Sequence, residues 1–261
     1  MSILDDISQK LSVKTWVRVA VLGIILLGLF GFSNSKQGEM RVKKSEIFVE
    51  QAYDNYFIDE KDVLGLMTKD GNEVLEEEAF KKLSFKELEA RIKENLFVED
   101  VEVYRDVKGT LYAKVEQRKP IARIARSMGK DFYLDAKGNV FPISDKFTAR
   151  VLILDGSFTN KLLSTGFKKS KEYRPYLEFI KRIENDKFLG TQIHQISIDA
   201  LGRIDMYQQV GAQVIEFGYP DQNLDKKFQK LQIFYDRILP TKGWNAYSRV
   251  NLNFENQIIC E

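Results

Sequence analysis

The sequence has few of the residues that catalytic and metal-binding sites usually need. Its 261 residues include one histidine, His194, and one cysteine, Cys260. A Ser-His-Asp triad or a multi-histidine metal site needs partners that are missing here, and the sequence contains no P-loop and no G-x-G-x-x-G run. We therefore expect a protein that is not an enzyme, with no cofactor and no metal ion. His194 lies in an alternating run, which favours a solvent-facing strand position.

The small numbers of other residue types narrow the class of protein further. A single cysteine allows no internal disulfide, so an oxidising compartment is permitted but not indicated. Only five prolines and no low-complexity tract are present, which argues against long linkers. The formal net charge is +2, and no concentrated basic face suggests binding to nucleic acid.

The longest apolar stretch runs from Trp16 to Phe32, and residues 19–32 carry no charge. A membrane-spanning helix needs about 20 predominantly apolar residues. Counted from Val13 or Trp16 the stretch reaches that length, because the charged head of Arg18 can extend to the lipid headgroups. We expect a membrane helix at 16–33. A cleaved signal peptide is an alternative, and a buried globular helix is a third, although no amphipathic stripe supports it.

Basic residues set the expected orientation. Lys10, Lys14 and Arg18 precede the apolar stretch and favour a cytoplasmic N-terminus. Basic residues also follow the stretch, so the number of basic residues on its two sides does not decide the orientation. Long domains translocate largely regardless of charge. We expect a cytoplasmic tail at 1–15, a linker at 34–39, and a large region outside the cytoplasm.

The first part of that region combines strand and helix signals. Ser84 and Glu87 form a capping box before a helix, and Leu111, Ala113 and Val115 alternate with polar residues as in a half-buried strand. The predicted order is β-α-α-β-β: a strand at 40–49, a helix from Asp59 to about Met67, a helix after Ser84, and strands at 97–105 and 111–118.

A repeated turn signal places Asp first and Gly fourth, which suits a type I turn. It occurs at Asp106–Gly109, Asp135–Gly138 and Asp199–Gly202. We predict hairpins at 97–118, 121–142 and 193–208.

The remaining chain predicts a mainly antiparallel sheet packed with two helices. One helix covers 175–186, and a longer one follows Asp221 and ends at Pro240 and Gly243. Further strands are predicted at 151–154 and 212–217, followed by a closing hairpin formed by 247–254 and 257–261.

Four runs of residues resemble, in order, the landmarks of a known protein family. The first is Val115-Glu-Gln-Arg118-Lys-Pro120-Ile-Ala122, which resembles the junction between the POTRA and β domains of the FtsQ/DivIB family of bacterial division proteins. Tyr133-Leu-Asp-Ala-Lys-Gly-Asn-Val-Phe-Pro142, Ile153-Leu-Asp-Gly156 and Ser248-Arg-Val-Asn-Leu-Asn-Phe254 resemble later landmarks in order. The usual proline before the leucines of the Ile153 run is absent, as is an Asn-Pro pair near Asn95. Asn251 and Asn253 stand where Asp and Arg are common.

This resemblance implies an α+β fold: one membrane helix, a POTRA domain at 40–119 and an FtsQ-type β domain at 120–261. It implies a scaffold in the inner membrane that faces the periplasm and concentrates at the division septum. Its implied partners are FtsB-like and FtsL-like proteins and other divisome membrane proteins, which it links to septal peptidoglycan synthesis. A second interpretation is a POTRA-containing periplasmic adaptor or chaperone of protein transport or outer-membrane assembly. A membrane-anchored enzyme is a third.

The resemblance also implies where partners bind, because family members receive a partner strand at the far end of the β domain. A strand near a sheet edge has unpaired backbone groups that suit this role. We expect the inward-facing members of the closing hairpin to belong to the core. The candidate partner-binding residues are Tyr247, Ser248, Arg249, Val250, Asn251, Leu252, Asn253, Phe254, Gln257 and Ile259. Arg118 and Pro120 are the candidate domain-junction residues: Pro120 is expected to end a strand because proline has no N–H to donate, and Arg118 to brace the two domains.

Overall fold

The computed structural model describes residues 16–25, 40–51 and 56–261. Its internal contacts divide the chain into two compact units. From residue 40 onward, the first unit holds the described residues 40–48, 60–94 and 101–115. The second unit holds 49–51, 56–59, 95–100 and 116–261. Segments that are distant in sequence therefore contribute to each unit, and each is described separately below.

Residues 16–25 form a helix whose side chains are mostly exposed. Within the described residues, no helix combines the length and the apolar character that crossing a membrane requires. The predicted membrane segment continues over 26–33, which lies outside the described residues, as do the predicted tail at 1–15 and the linker at 34–39. The membrane helix therefore stays a prediction.

The predicted β-α-α-β-β order is confirmed. Its elements are β1 (Lys44–Glu50), α1 (Glu60–Thr68), α2 (Phe85–Lys93), β2 (Val98–Arg105) and β3 (Thr110–Gln117), with a 3-10 turn at Phe80–Lys82. The three strands form a sheet in the order β1-β3-β2. Ser84 Oγ accepts a hydrogen bond from the Glu87 N–H at 3.3 Å, so the predicted cap of α2 is present. Leu111, Ala113 and Val115 are fully buried, as their alternation predicts.

The three predicted Asp–Gly turns share one geometry. In the turn after Asp135, Oδ1 accepts hydrogen bonds from the N–H groups of Lys137 at 2.9 Å and Asn139 at 2.8 Å. Asp106 and Asp199 accept the equivalent two bonds in their own turns. The fourth residue has a positive φ each time, 96° at Gly109, 83° at Gly138 and 91° at Gly202. Glycine adopts that conformation without steric cost, which is why the pattern predicts the turns.

The second unit contains a nine-stranded sheet with the order β12-β11-β10-β9-β8-β7-β4-β5-β6. The strands are β4 (Pro120–Ile124), β5 (Phe132–Asp135), β6 (Val140–Pro142), β7 (Leu152–Asp155), β8 (Ile193–Ile198), β9 (Ile204–Gln208), β10 (Val214–Gly218), β11 (Arg249–Asn251) and β12 (Ile259–Cys260). The helices are α3 (Thr159–Leu163), α4 (Thr165–Lys168), α5 (Tyr173–Asn185), α6 (Leu189–Gln192), α7 (Leu224–Ile233) and α8 (Leu239–Lys242), with a π-helical turn at Phe234–Ile238 between the last two.

This sheet is mainly antiparallel, as predicted, and it also contains parallel pairs that were not predicted. Five of its eight neighbouring pairs are antiparallel, but β4–β7, β7–β8 and β10–β11 are parallel. Four short or medium helices accompany the two long helices α5 and α7 that the sequence predicts. Parallel neighbours need crossover connections, which contain helices between β7 and β8 and between β10 and β11, whereas the β4–β7 connection passes through β5 and β6.

The helix that follows Asp221 does not end at Pro240, as was predicted. A π-helical turn continues α7 into α8, and Pro240 lies in the first turn of α8, the helical position in which proline is most common. Gly243, with φ of 95°, ends the helix. Asp221 does not cap the helix with its side chain. Its Oδ1 instead accepts from the Asn223 N–H at 2.9 Å, just before α7 begins.

The helices cover one face of the nine-stranded sheet. Phe179 of α5 and Phe228 of α7 both pack against Phe217 of β10, with ring centroids 4.7 Å and 5.1 Å from that of Phe217. The predicted inward residues Tyr176, Ile180 and Ile183 are buried in the same core. Phe228 of α7 and Val250 of β11 belong to the same core cluster as Phe217, so α7 packs on this face of the sheet.

Candidate partner-binding edge

The predicted closing hairpin exists, but its two strands have different neighbours. β11 pairs with β10 in parallel, with Val214 opposite Arg249, and with β12 in antiparallel, with Asn251 opposite Ile259. Both sides of β11 are therefore occupied. The edge of the sheet is β12, which narrows the predicted binding edge from the whole hairpin to its second strand.

Hydrogen bonds between the two strands show which backbone groups face outward. The Glu261 N–H donates to the Arg249 carbonyl at 3.0 Å, and the Arg249 N–H donates to the Glu261 carbonyl at 3.1 Å. In an antiparallel ladder such bonded pairs alternate with non-bonded pairs. The N–H and C=O groups of Ile258 and Cys260 therefore point away from β11, toward the open edge. A partner strand would bind to these groups.

Three of the candidate side chains belong to the core. Val250 and Leu252 are completely buried, and Tyr247 is half-buried against the same core cluster. Their packing stabilises the second unit, and the side chains of Val250 and Leu252 have no exposed surface. This outcome agrees with the expectation that the inward-facing members of the hairpin are structural.

Polar candidates of β11 and of the residues after it form a network on the sheet face opposite α7. The Glu216 carboxylate of β10 forms an ion pair with Arg249 and accepts from Asn251 Nδ2 at 2.5 Å. Asn253 Nδ2 donates to the Glu216 carbonyl at 3.2 Å and to Asn251 Oδ1 at 3.0 Å. These bonds hold the exposed face of β11 rigid beside the open edge.

Asn253 also explains a glycine in the neighbouring strand. Gly218 has φ of 75°, and a Cβ atom added there would lie 1.9 Å from Asn253 Oδ1. Only glycine leaves room for this amide. Asn251 and Asn253 depart from the residues common in the family. Here they fit their neighbours on β10, since both bind Glu216 and Gly218 leaves space for Asn253.

The loop between β11 and β12 is tied to α7. Lys230 Nζ donates to the Leu252 carbonyl at 2.9 Å and also to the Phe254 carbonyl. Phe254 and Gln257 are exposed, and Ser248 is exposed with its Oγ donating to the Glu261 carbonyl at 3.1 Å. Ile259 is half-buried on β12 itself. These four side chains, like those of Arg249 and Asn253, reach the surface at least in part.

The two predicted junction residues lie together at the start of β4. Arg118 donates to Asp135 Oδ2 at 2.6 Å, to the Leu96 carbonyl at 3.1 Å and to the Val98 carbonyl at 3.2 Å. All of these residues belong to the second unit. Pro120 opens β4 and does not end β3, which stops at Gln117; the first position of a strand tolerates proline because no ladder donor is needed there.

Neither of the chemically notable residues belongs to a reactive cluster. His194 is exposed on β8, as predicted. Burial raises the pKa of the Cys260 thiol, which keeps it neutral and poorly nucleophilic. In the part of the chain that the structure describes, no three His, Cys, Asp or Glu residues are grouped to hold a metal ion.

Sequence reasoning missed Glu216, Ile258 and Cys260. The alternation of Val214 to Phe217 indicates that Glu216 faces away from the core, but nothing in it places Glu216 beside Arg249. The outward direction of the Ile258 and Cys260 backbone groups depends on the register between β11 and β12, which periodicity does not contain.

Comparison with known proteins assigns this chain to a family. A search of curated proteins found no match to the chain. Two family models match: a POTRA-like domain over residues 41–116, and the model described as FtsQ/DivIB, C-terminal related, over residues 119–261. The second model covers more than half of the chain and includes the whole nine-stranded sheet with its open β12 edge. The chain therefore belongs to the FtsQ/DivIB family of cell-division proteins, and it carries a POTRA-like domain before the family's C-terminal domain.

Proposed function

We propose that this protein is a non-enzymatic scaffold of bacterial cell division that receives a strand from an FtsB-like partner at β12. The supporting observation is the pair of residues, Ile258 and Cys260, whose backbone groups face the open edge. Main-chain hydrogen bonds to such an edge supply affinity, and alternate side chains supply specificity. An FtsL-like protein would join as part of the same complex, which links early division proteins to septal peptidoglycan synthesis.

We further propose that the scaffold is anchored in the inner membrane by residues 16–33 and concentrates at the septum. The uncharged stretch at 19–32 and the basic residues before it support a cytoplasmic N-terminus and periplasmic domains. Protease added to spheroplasts should then digest the chain after Ser33. Complete protection of the C-terminal region would contradict this topology.

The domain boundaries are part of the same proposal: a POTRA domain at 40–119 and a β domain at 120–261. The ranges of the two family models support this division. Partner capture should therefore depend on the β domain, with the POTRA domain serving recruitment of other divisome proteins.

A change at Cys260 tests the edge directly. Cys260→Pro removes an N–H that faces the open edge and adds a ring there, but it deletes no hydrogen bond to β11. Co-purification of the FtsB-like and FtsL-like proteins of the same cell should fall by about tenfold or more.

The matched control is Cys260→Ser, which keeps the N–H and should capture the partners as the wild type does. Thermal melting of both variants checks that the fold persists. If folded Cys260→Pro captures the partners at the wild-type level, strand addition at β12 is wrong.

A further inference from the structure

A pocket of about 360 Å³ lies where the C-terminal end of α5 meets α6 and α7. This volume is within the range of sites that hold a small molecule or a single side chain. The π-helical turn after α7 contributes to its wall, and such turns occur frequently at functional sites. None of the lining residues belongs to β11, β12 or the loop between them, so the pocket is separate from the candidate partner-binding edge.

Three aromatic rings line this pocket. Phe228 and Tyr235 are buried, whereas Phe188 is 46% exposed. The rings of Phe188 and Tyr235 meet at nearly a right angle, with their centroids 4.9 Å apart. Tyr235 Oη donates to the buried Gln208 Oε1 at 2.5 Å, and burial raises the pKa of this phenol, so Tyr235 stays neutral. The pocket therefore presents aromatic surface, and the faces of aromatic rings attract cations.

Two exposed carboxylates, Asp186 and Asp236, also line the pocket. Asp186 Oδ1 accepts hydrogen bonds from the N–H groups of Phe188 at 2.9 Å and Leu189 at 3.0 Å, which fixes the start of α6 and leaves Oδ2 to a ligand. The Asp236 side chain forms no hydrogen bond or ion pair with the residues that the structure describes. The carbonyl end of α5, a helix of 13 residues, adds partial negative charge beside Asp186. These groups all favour a positively charged ligand.

Arg182 is the one cation among the lining residues. Its guanidinium lies over the Phe228 ring, 5.4 Å from the centroid, so this wall already accepts a cation at one end. The charge of Arg182 is balanced by Asp225, which lies 3.1 Å away and does not line the pocket. Arg182 therefore does not neutralise the carboxylates of Asp186 and Asp236.

We propose that this pocket binds an arginine side chain of a basic protein segment that docks on α6 and α7. The rings of Phe188 and Tyr235 contact the guanidinium, and the carboxylates of Asp186 and Asp236 pair with it. Arginine suits the site better than lysine, because a guanidinium stacks on aromatic rings and pairs with carboxylates through two N–H groups. The site does not depend on strand addition at β12, and it gives the protein a second contact surface that selects for positive charge.

The test is an NMR titration of the full chain, reconstituted in lipid nanodiscs, with the peptide acetyl-Gly-Arg-Gly-amide. The methyl groups of Leu189 report occupancy, because this residue is buried and lines the pocket. We expect their signals to shift until saturation, whereas the same peptide with citrulline, which has the shape of arginine without its charge, shifts them little.

Variants assign the binding to the pocket. Asp236→Asn and Phe188→Ala should each weaken binding of the arginine peptide by about fivefold, since each removes one contact with the cation. The matched control is Glu172→Gln, which also removes one negative charge from an exposed side chain but lies at the other end of α5 and does not line the pocket. It should bind the peptide as the wild type does. Methyl signals elsewhere in the spectrum check that each variant is folded.

Three outcomes would overturn the proposal. Equal shifts with the arginine and citrulline peptides would show that the charge plays no part, and unshifted Leu189 signals at millimolar peptide would show that the pocket stays empty. Arg182→Gln separates a cation site from an anion site, because it removes the positive charge of the pocket and should leave binding of the arginine peptide at least as tight. Loss of binding in Arg182→Gln, with Asp236→Asn unaffected, would refute a cation site. Cys260→Pro should bind the peptide as the wild type does, so the result is independent of the proposed function.

Discussion

The two edges of the nine-stranded sheet are built differently. At the β6 edge, the Asp135 N–H donates to the Asn139 carbonyl at 3.0 Å, so the alternation turns the backbone of Val140 and Pro142 outward. Pro142 has no N–H to offer. At the β12 edge the two outward residues, Ile258 and Cys260, both have one. Natural sheets use proline on edge strands to block unwanted pairing with other strands. Pro142 therefore closes the β6 edge to a partner strand, whereas the β12 edge can pair with one.

Side chains reinforce this difference. Phe141 of β6 is buried among aromatic rings, with its centroid 5.5 Å from Tyr133, 6.0 Å from Phe97 and 6.2 Å from Phe57. The side chains of β12 are only half-buried. The β6 edge is therefore anchored by its own core, whereas β12 is held mainly by its pairing with β11.

The largest expected effect is on stability at the β6 edge. Phe141→Ala should lower the free energy of unfolding by about 3–5 kcal/mol, because it leaves a cavity in the aromatic cluster. Ile259→Ala on β12 should cost only about 1 kcal/mol, since that side chain is half-buried. Urea denaturation of the two variants measures both values. Equal losses would contradict the contrast between an anchored and an unanchored edge.

A second prediction opens the β6 edge to pairing with another strand. Pro142→Thr gives the β6 edge an outward N–H, and each backbone bond made there contributes about 1 kcal/mol. We expect concentration-dependent self-association, measured by sedimentation equilibrium. Val210→Thr, in an exposed turn away from both edges, is the control and should remain unchanged. An unchanged mass for Pro142→Thr at high concentration would show that proline is not what closes this edge.

The smallest expected effect is on protein stability and concerns the carboxylate of Asp205 on β9. Burial raises the pKa of Asp205, and the nearby Arg249 opposes that shift only in part. Because the folded-state pKa exceeds the unfolded one, ionisation penalises the fold as pH rises through the unfolded and then the folded value. Asp205→Asn should therefore stabilise the protein by about 0.5 kcal/mol at pH 7 and not at all at pH 3.

Thermal melting at these two pH values measures this gain. A gain of the same size at pH 3 would show that the effect does not come from the charge. Asp135→Asn, on the β6 side, should instead destabilise the protein at pH 7, because it breaks the ion pair with Arg118.

Much of the fold is predictable because local chemistry determines it. The alternation at Leu111, Ala113 and Val115 reports burial on one face, and each Asp–Gly turn carries its own hydrogen bonds. The parallel neighbours of β7 are different, since no local pattern says which distant strand lies beside it. The continuation of the last helix through Pro240 was missed for a related reason: the π-helical turn shifts the register so that proline falls in a first turn.

The binding edge is predictable only in part. The family resemblance indicates the closing hairpin, and parity separates Val250 and Leu252 from the outward residues. Which strand of the hairpin is the edge depends on β10, more than 30 residues earlier in the chain. The pairing of Glu216 with Arg249 likewise joins segments that meet only in the folded protein.

Amide hydrogen exchange at single residues tests the central claim most directly. Exchange is measured on the full chain with and without the FtsB-like protein of the same cell. Strand addition at β12 predicts that the amides of Ile258 and Cys260 exchange rapidly alone and become strongly protected in the complex, while the amide of Val140 at the β6 edge does not change. A stable complex in which the Ile258 and Cys260 amides still exchange as in the free protein would contradict the account.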